Sequence, residues 1–281
     1  RSIQRKGSNS FEALNEPIIL DGPYSNSAFD IVCKNDKVYM IIGGKDLLNG
    51  KRFDKGGYIL TYDYDKWYFI DPKEAQKKLN LPRNPRDYTS IAVTTDDSND
   101  EIVYASSMGD GVIQYKNRTP VQSYNEKNAF KETAGGYGSG YCYIDGLAFD
   151  KNGNLWMTSS EVNHAVLVLD KAGAWHRLDI EQLRGVYTIN DILITSTNDK
   201  WIYVPRNTPK LVMIPNSESL DEVSSYEFTT LIDTDGKELT PSNYTCVAED
   251  KDGYIWVGTN RGAVYFTKPR ISSAEDKAAT R

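Results

Sequence analysis

Apolar runs of about four to seven residues recur from end to end of the chain, and the polar stretches between them are rich in Asp, Asn and Gly. Two stretches show the order most plainly: "DKNGNLWMTSSEVNHAVLVL" from Asp150 and "DKDGYIWVGTNRGAVYF" from Asp250. Each is a turn, an apolar run centred on Trp, a polar break and a second apolar run. Three weaker versions read "KVYMIIGG" (37–44), "EIVYASSMGDG" (101–111) and "KWIYVPRN" (200–207). The aromatic anchors are therefore Tyr39, Tyr104, Trp156, Trp201 and Trp256, spaced 45 to 65 residues apart.

Each anchor run has an apolar run before it ("FDIVCKND", "IDGLAFDKNG", "YTCVAEDKDG") and another after it ("GYILTYD", "AVLVLDK", "AVYFTK"). Four units add a fourth, such as "KWYFID" and "AWHRLDI". The first and second runs join through a tight Asp/Asn/Gly turn of the kind that hairpins need where φ is positive. Four short strands in about 50 residues around an aromatic anchor define a propeller blade. Segments such as "LWM" and "YIWV" are apolar at consecutive positions, which requires burial on both faces of the sheet, as between neighbouring blades. The pattern predicts an all-β chain: a β-propeller of four-stranded blades, about five of them, as a ring of their own or as part of a larger or double propeller. Residues 1–20 are expected to be an N-terminal strand or tail, 21–268 the propeller and 269–281 a C-terminal tail. "SFEALNEPIIL" could supply the outer strand missing from the last unit (244–268). All five anchors should be buried between sheets, so that truncating Trp156 or Trp256 costs about 3–5 kcal/mol.

In this architecture the second-to-third strand loops and the blade-to-blade connections share one face. Here that set is long and irregular: 45–56, 72–87, 126–143 and 232–243. Asp71 followed by Pro72 predicts a capped short helix ending near Leu81. The opposite turns ("DKNG", "DKAG", "DKDG") are short. Long loops on one face of a rigid scaffold are where binding concentrates. The candidate binding residues are Tyr137, Tyr141, Asn163, His164, Arg206, Asn260 and Arg261, with Tyr143, Arg52, Arg83, Arg86 and Lys237 around them. Tyr and Arg are the types that most often anchor interfaces.

Composition narrows the chemistry. A net charge of -6 excludes a basic nucleic-acid face. No apolar stretch approaches the roughly 20 residues that span a bilayer. The three cysteines, Cys33, Cys142 and Cys246, are scattered, so neither a disulfide scaffold nor a zinc knot is expected. Cys33 and Cys246 sit in apolar runs and are expected to be buried thiols. The two histidines, His164 and His176, have no nucleophile or ligand context. "DKNG" and "DKDG" place Gly too early for a calcium loop, and "GGYGSGY" (135–141) lacks the Lys-Ser/Thr ending of a phosphate loop. The residues thus name no catalytic group, metal or cofactor, and what repeats is architecture.

The units "DGLAFDKNGNLWMTSS" and "CVAEDKDGYIWVGTNRGAVYF" resemble the propeller repeats of two-component regulators. Three stretches, 21–44, 104–128 and 144–180, more narrowly resemble the PorZ family, propeller proteins of the type IX secretion system. That resemblance implies a non-enzymatic scaffold or binding propeller at the cell surface or outer membrane, or in the periplasm, of a Gram-negative cell. It implies protein partners in a cargo-attachment complex, a sortase-like protease among them. A glycan or lipopolysaccharide is the other ligand class, although the family's C-terminal signal domain is missing from these residues. The broader resemblance implies an alternative: the periplasmic carbohydrate-sensing propeller of a hybrid two-component regulator. A lyase or glycosidase propeller would need more His, Arg and acidic clustering than two histidines allow.

Overall fold

The Asp-Lys-x-Gly turns carry more than a change of direction. Asp150 Oδ1 accepts the backbone N–H groups of Asn152 and Asn154 at 2.9 and 2.8 Å. Gly153 takes the positive φ (85°) that closes the hairpin. Asp150 Oδ2 then accepts the indole N–H of Trp156 at 2.9 Å. The last unit repeats the device: Asp250 Oδ1 accepts from Asp252 and Tyr254, both at 2.9 Å, and its Oδ2 accepts from Trp256 at 2.7 Å. One carboxylate thus shapes the turn and fixes the anchor, which explains why Asp and Trp recur at a constant spacing.

A computed structural model describes residues 3–5, 11–13, 22–47, 49–130, 140–232 and 235–266. Strands β1 (Ile3–Arg5) and β2 (Phe11–Ala13) pair with each other. The first propeller sheet follows as β3 (Ala28–Lys34), β4 (Lys37–Ile42), β5 (Ile59–Asp63) and β6 (Lys66–Ile70). Helix α1 (Pro72–Leu79) comes next, with Asp71 capping the N–H of Lys73 at 2.9 Å as the sequence predicts; it ends two residues before the expected Leu81, where Asn80 takes the left-handed region. The second sheet is β7 (Tyr88–Thr95), β8 (Glu101–Gly109), β9 (Gly111–Lys116) and β10 (Thr119–Tyr124). The third is β11 (Cys142–Phe149), β12 (Leu155–Ser159), β13 (Val166–Leu169) and β14 (Trp175–Leu178). The fourth is β15 (Ile192–Ile194), β16 (Lys200–Val204), β17 (Lys210–Ile214) and β18 (Tyr226–Phe228). A small hairpin, β19 (Leu231–Ile232) with β20 (Glu238–Leu239), leads to the last sheet. That sheet holds β21 (Tyr244–Glu249), β22 (Ile255–Thr259) and β23 (Gly262–Phe266).

Apolar layers between consecutive sheets hold the arc together. Tyr39 packs with Tyr88, Ile91 and Val103 of the second sheet. Tyr104 packs with Leu155, Met157 and Leu167 of the third. Trp156 enters the layer formed by Ile192, Ile202 and Val212 of the fourth, and Trp201 that of Ile255 and Val257 of the fifth. Each of these four anchors therefore points to the sheet that follows. Burying such side chains stabilises by roughly 2–3 kcal/mol each.

Three expectations are corrected here. Trp256 occupies the predicted strand and register but is 40% exposed. Cys33 and Cys246 are exposed, and only Cys142 is buried. Phe11–Ala13 pairs with β1, and the last sheet has three strands among the described residues, outside which the rest of the expected outer strand lies. The first two departures share a cause. Cys33 lies on the outer face of the first sheet, Cys246 and Trp256 on that of the last, and neither face is covered by a neighbouring sheet.

Candidate functional site

The connections that share the long-loop face touch one another as the propeller rule requires. Gly57 N–H donates to Pro85 O, Asp87 N–H to Lys55 O, Glu161 N–H to Val186 O and Tyr244 N–H to Pro205 O, all at 2.8–3.0 Å. Three of the second-to-third strand loops, those after β4, β12 and β16, are thus tied by backbone to the next blade-to-blade connection.

Its centre is sealed by the insert after β4. Lys45, 3% exposed, reaches across to a buried ion pair with Asp145, and its ammonium also donates to Ile189 O at 3.2 Å. Ser160 Oγ donates to the other oxygen of Asp145 at 2.5 Å and accepts the Ile189 N–H at 2.8 Å. Beneath this plug the innermost strands carry a polar network. A register shift in β3, β7, β11 and β21 marks a bulge in each of those strands, which re-aims a side chain there. Asp30 Oδ2 accepts the Ile91 N–H at 3.1 Å, Ser90 Oγ accepts that of Leu147 at 3.1 Å, and Tyr203 OH donates to Thr245 O at 3.2 Å. Every one of these bonds joins one sheet to another. Gly146 is needed where β11 meets the fourth sheet, because a Cβ there would stand 2.8 Å from the Cα of Asp191. Burial, and then the negative charge of Asp30, pushes the Asp191 carboxyl up to about 7. Burial also raises Asp145, against the pull of Lys45. Among the described residues these bonds knit the innermost strands together.

There the sequence-chosen residues fall into separate groups. Tyr141 sits between two guanidinium groups: Arg52 and Arg83 each lie 5.6 Å from its ring centroid, and Arg52 donates to its hydroxyl at 3.2 Å. Arg83 is paired with Asp110 at 2.7 Å, which outweighs burial and raises the pKa of its guanidinium. Leu81, Pro82, Arg83, Pro85, Asp110, Glu126, Lys127 and Tyr141 line a pocket of about 330 Å³ here. Arg206 lies against Gly50 of the insert and has a buried Nε without a hydrogen-bond partner. Asn163 and His164 belong to the β12–β13 turn, where His164 helps Arg184, the larger influence, to hold Asp179 below the usual carboxylate range. Asn260 is a turn-former whose Oδ1 accepts from Ser242 and Asn243 at 3.0 and 3.1 Å, with Arg261 beside it. Tyr137 lies outside the described residues. The structure therefore gathers Tyr141 with Arg52 and Arg83, and distributes the others over later blades.

Sequence reasoning missed Lys45, Asp145 and Asp191, although an Asp opening the first run of three units ("FDIV", "IDGL", "NDIL") was a readable signal. It also missed a cleft of about 570 Å³ between the second and third sheets, on the short-turn face. Its floor is Tyr104 and Phe149, and its rim Asp96, Asp97, Lys116, Lys151 and Lys171. Among the described residues no group of three or more His, Cys, Asp or Glu side chains could hold a metal ion. Among the same residues no helix is long and apolar enough to cross a membrane.

Consecutive antiparallel four-stranded sheets, packed face to face with their innermost strands joined, define the β-propeller class. The family model for the two component regulator propeller matches residues 238–261. No curated protein matches the sequence. The fold resembles that of PorZ, an essential bacterial surface component of the type-IX secretion system of Porphyromonas gingivalis. The TM-score is 0.80 at 20% identity, over 98% of this chain and 37% of that one. The extracellular domain of BT3049 from B. thetaiotaomicron, described as a hybrid two component system, follows with a TM-score of 0.52 at 17% identity, over 91% of this chain and 34% of that one. A Bacteroides uniformis protein described as a 6-phosphogluconolactonase has a TM-score of 0.50 at 11% identity, over 89% of this chain and 69% of that one. These likenesses concern the fold. The chain spans only about a third of the length of the PorZ and BT3049 chains.

Proposed function

We propose that the chain is a non-enzymatic scaffold or binding propeller of a type IX secretion complex, working at the cell surface or outer membrane beside the protease that attaches cargo. The observation that carries this reading is the likeness to PorZ across 98% of the chain, well above its likeness to the other propellers. The partner-binding surface is the long-loop face, centred on Tyr141 between Arg52 and Arg83. Arg206 and the Asn163–His164 and Asn260–Arg261 turns extend it. Fixed aromatic and guanidinium groups suit a protein surface, and a Tyr face also suits a sugar ring.

The test is in-cell crosslinking and co-purification with the other components of the complex, the sortase-like protease included. Charge reversal at Arg83 and Arg206 should abolish recovery, and reversal of Lys151 and Lys171 at the opposite cleft should leave it intact. The reverse pattern would move the site to that cleft, and no recovery by the parent chain would reject the scaffold reading. A second reading has its own support in the regulator-type repeat at 238–261: a periplasmic sensor propeller that binds an oligosaccharide. Saturable binding of a defined oligosaccharide, lost in Tyr141→Ala, would favour it.

A further inference from the structure

On the short-turn face, side chains close three of the boundaries between consecutive sheets and leave one open. Between the first and second sheets Glu101 accepts from the Lys37 ammonium at 3.0 Å and the Tyr39 hydroxyl at 2.6 Å, and Arg118 donates back to Asp63 at 2.8 Å. Between the third and fourth, Asn198 Oδ1 accepts the Lys151 N–H at 2.9 Å, and the Lys200 ammonium stands 4.4 Å from the Trp156 ring centroid. Between the fourth and the last, Glu249 accepts from the N–H and the hydroxyl of Ser196 at 2.6 and 2.5 Å. Between the second and third, the link on this face among the described residues is the Lys171–Asp97 pair at 3.5 Å, with both side chains mostly exposed. Such a pair contributes little. The positions that bridge elsewhere explain the gap. Glu101 and Asn198 stand three residues before their anchors, where the third sheet has Gly153. Glu249 pairs with the residue before its anchor, and its equivalent in the third sheet is Phe149, paired with Leu155. Glycine has no reach, and the Phe149 ring meets Tyr104 edge-on at 5.8 Å.

The opening is the cleft of about 570 Å³ floored by Tyr104 and Phe149, within the range of about 300–1,000 Å³ that small-ligand clefts occupy. We propose that this interblade cleft binds an uncharged saccharide, with one ring of the sugar chain lying on the aromatic floor. Ile102, Leu155 and Leu169 extend the floor, so its surface suits the C–H face of a ring. The charges around it balance, with Asp96, Asp97 and Asp170 against Lys116, Lys151 and Lys171. Lys116 is held between Asp96 and Asp100 at 2.7 and 2.8 Å, and Lys151 donates to Ser196 O, so neither ammonium is left for an anion. A charged ligand would enter this rim uncompensated, whereas a ring with an apolar face and hydroxyls at its edge meets both the floor and the alternating donors and acceptors above it. Gln114 adds a directed donor. Its Oε1 accepts the Tyr124 hydroxyl at 3.0 Å, which leaves its amide N–H groups for the ligand. Tyr124, stacked 6.4 Å from Tyr104, and Trp175, edge-on to Tyr124 at 5.4 Å, brace the floor. The cleft lies apart from the loop face, and this inference does not depend on the secretion role.

The experiment titrates the chain by calorimetry with neutral gluco-, manno-, galacto- and xylo-oligosaccharides, beside a uronate-containing set and an amino-sugar set. At least one neutral oligosaccharide should bind saturably. Asn152→Trp, at an exposed position on the cleft wall, should fill the mouth and abolish binding without moving the melting temperature. Phe149→Ala, which removes half of the floor, should weaken binding about tenfold. Flotation with vesicles that carry a lipid-linked neutral polysaccharide tells the two sources of such a chain apart, since only a membrane-borne one gives retention that Asn152→Trp abolishes. No saturable binding of a neutral sugar, tighter binding of the charged sets, or binding that survives Asn152→Trp overturns the proposal. Loss in Tyr141→Ala with retention in Asn152→Trp also overturns it and places the sugar on the loop face, so its failure is told apart from failure of the sensor reading.

Discussion

The third and the last sheets are near copies that meet different fates. In both, an Asp turn fixes the following Trp, an Ala stands opposite that Trp on the first strand, and the third strand covers its other side. Trp156 is 1% exposed and Trp256 is 40% exposed. Local sequence therefore sets strand, register and indole hydrogen bond, while burial is set by the neighbour. In an arc of stacked sheets the stabilising layer lies between repeats, so a repeat can be complete in itself and still lack most of its energy.

The largest expected effect follows from that contrast. Trp156→Ala should cost about 3–5 kcal/mol in urea unfolding, because it opens a cavity between two sheets and leaves Asp150 without its indole donor. Trp256→Ala in the same chain should cost less, about 1–2 kcal/mol, because the indole there is already partly in solvent and opens no cavity between sheets. Equal losses would mean that the two sheets are not in the different states their exposures describe.

How far the sequence could be read follows the same division. The Asp–Gly turns, the five anchor strands and the Asp71-Pro72 helix start were legible, because each is a local rule written in adjacent residues. Cys33, Cys246 and Trp256 were misjudged because apolar runs signal a face made to be covered, and nothing local says whether a cover is present. Of the candidate binding residues, Tyr141 was legible as a Tyr in a long connection. Its partner Arg52 stands 89 residues away and Lys45 meets Asp145 across 100, so their pairing is a product of how the sheets stack.

The inner strands give the second test. Asp191 and Cys246 hold equivalent positions two residues before the residue paired with the anchor. Cys246 is exposed, whereas Asp191 is enclosed with Asp30, Asp145, Lys45 and Tyr203 and pushed up to about 7. An acid whose folded pKa exceeds its unfolded value favours the folded state fully at pH below about 4, and that contribution is lost as pH rises from about 4 to about 7. Asp191→Asn keeps an acceptor for the Ile192 N–H and removes the titration. It should match the parent near pH 4 and exceed it by on the order of 2–4 kcal/mol at pH 7.5. Denaturant midpoints across that range read it. A constant offset at all pH values would show that Asp191 does not titrate in the window.

The smallest effect concerns the one feature of the covered Trp that the open one lacks, a cation. Lys200 is 2% exposed over the Trp156 ring, and burial lowers its pKa although Asp150 and Asp199 pull the other way. Removing the charge gives up a cation–π contact of up to about 2 kcal/mol and recovers the cost of burying an ammonium, terms of opposite sign and similar size. The two carboxylates keep other donors: Asp150 has the Asn154 amide and the Trp156 indole, and Asp199 has the Asn216 N–H at 2.7 Å and the Thr197 hydroxyl at 2.6 Å. Lys200→Met, which preserves the stem over the ring, should therefore change stability by less than about 1 kcal/mol in equilibrium unfolding at pH 7. That result would make the interblade layer an apolar packing surface that tolerates the cation without requiring it. A loss beyond about 3 kcal/mol would instead mean that a cation between Trp156 and Asp150 is required for the covered layer.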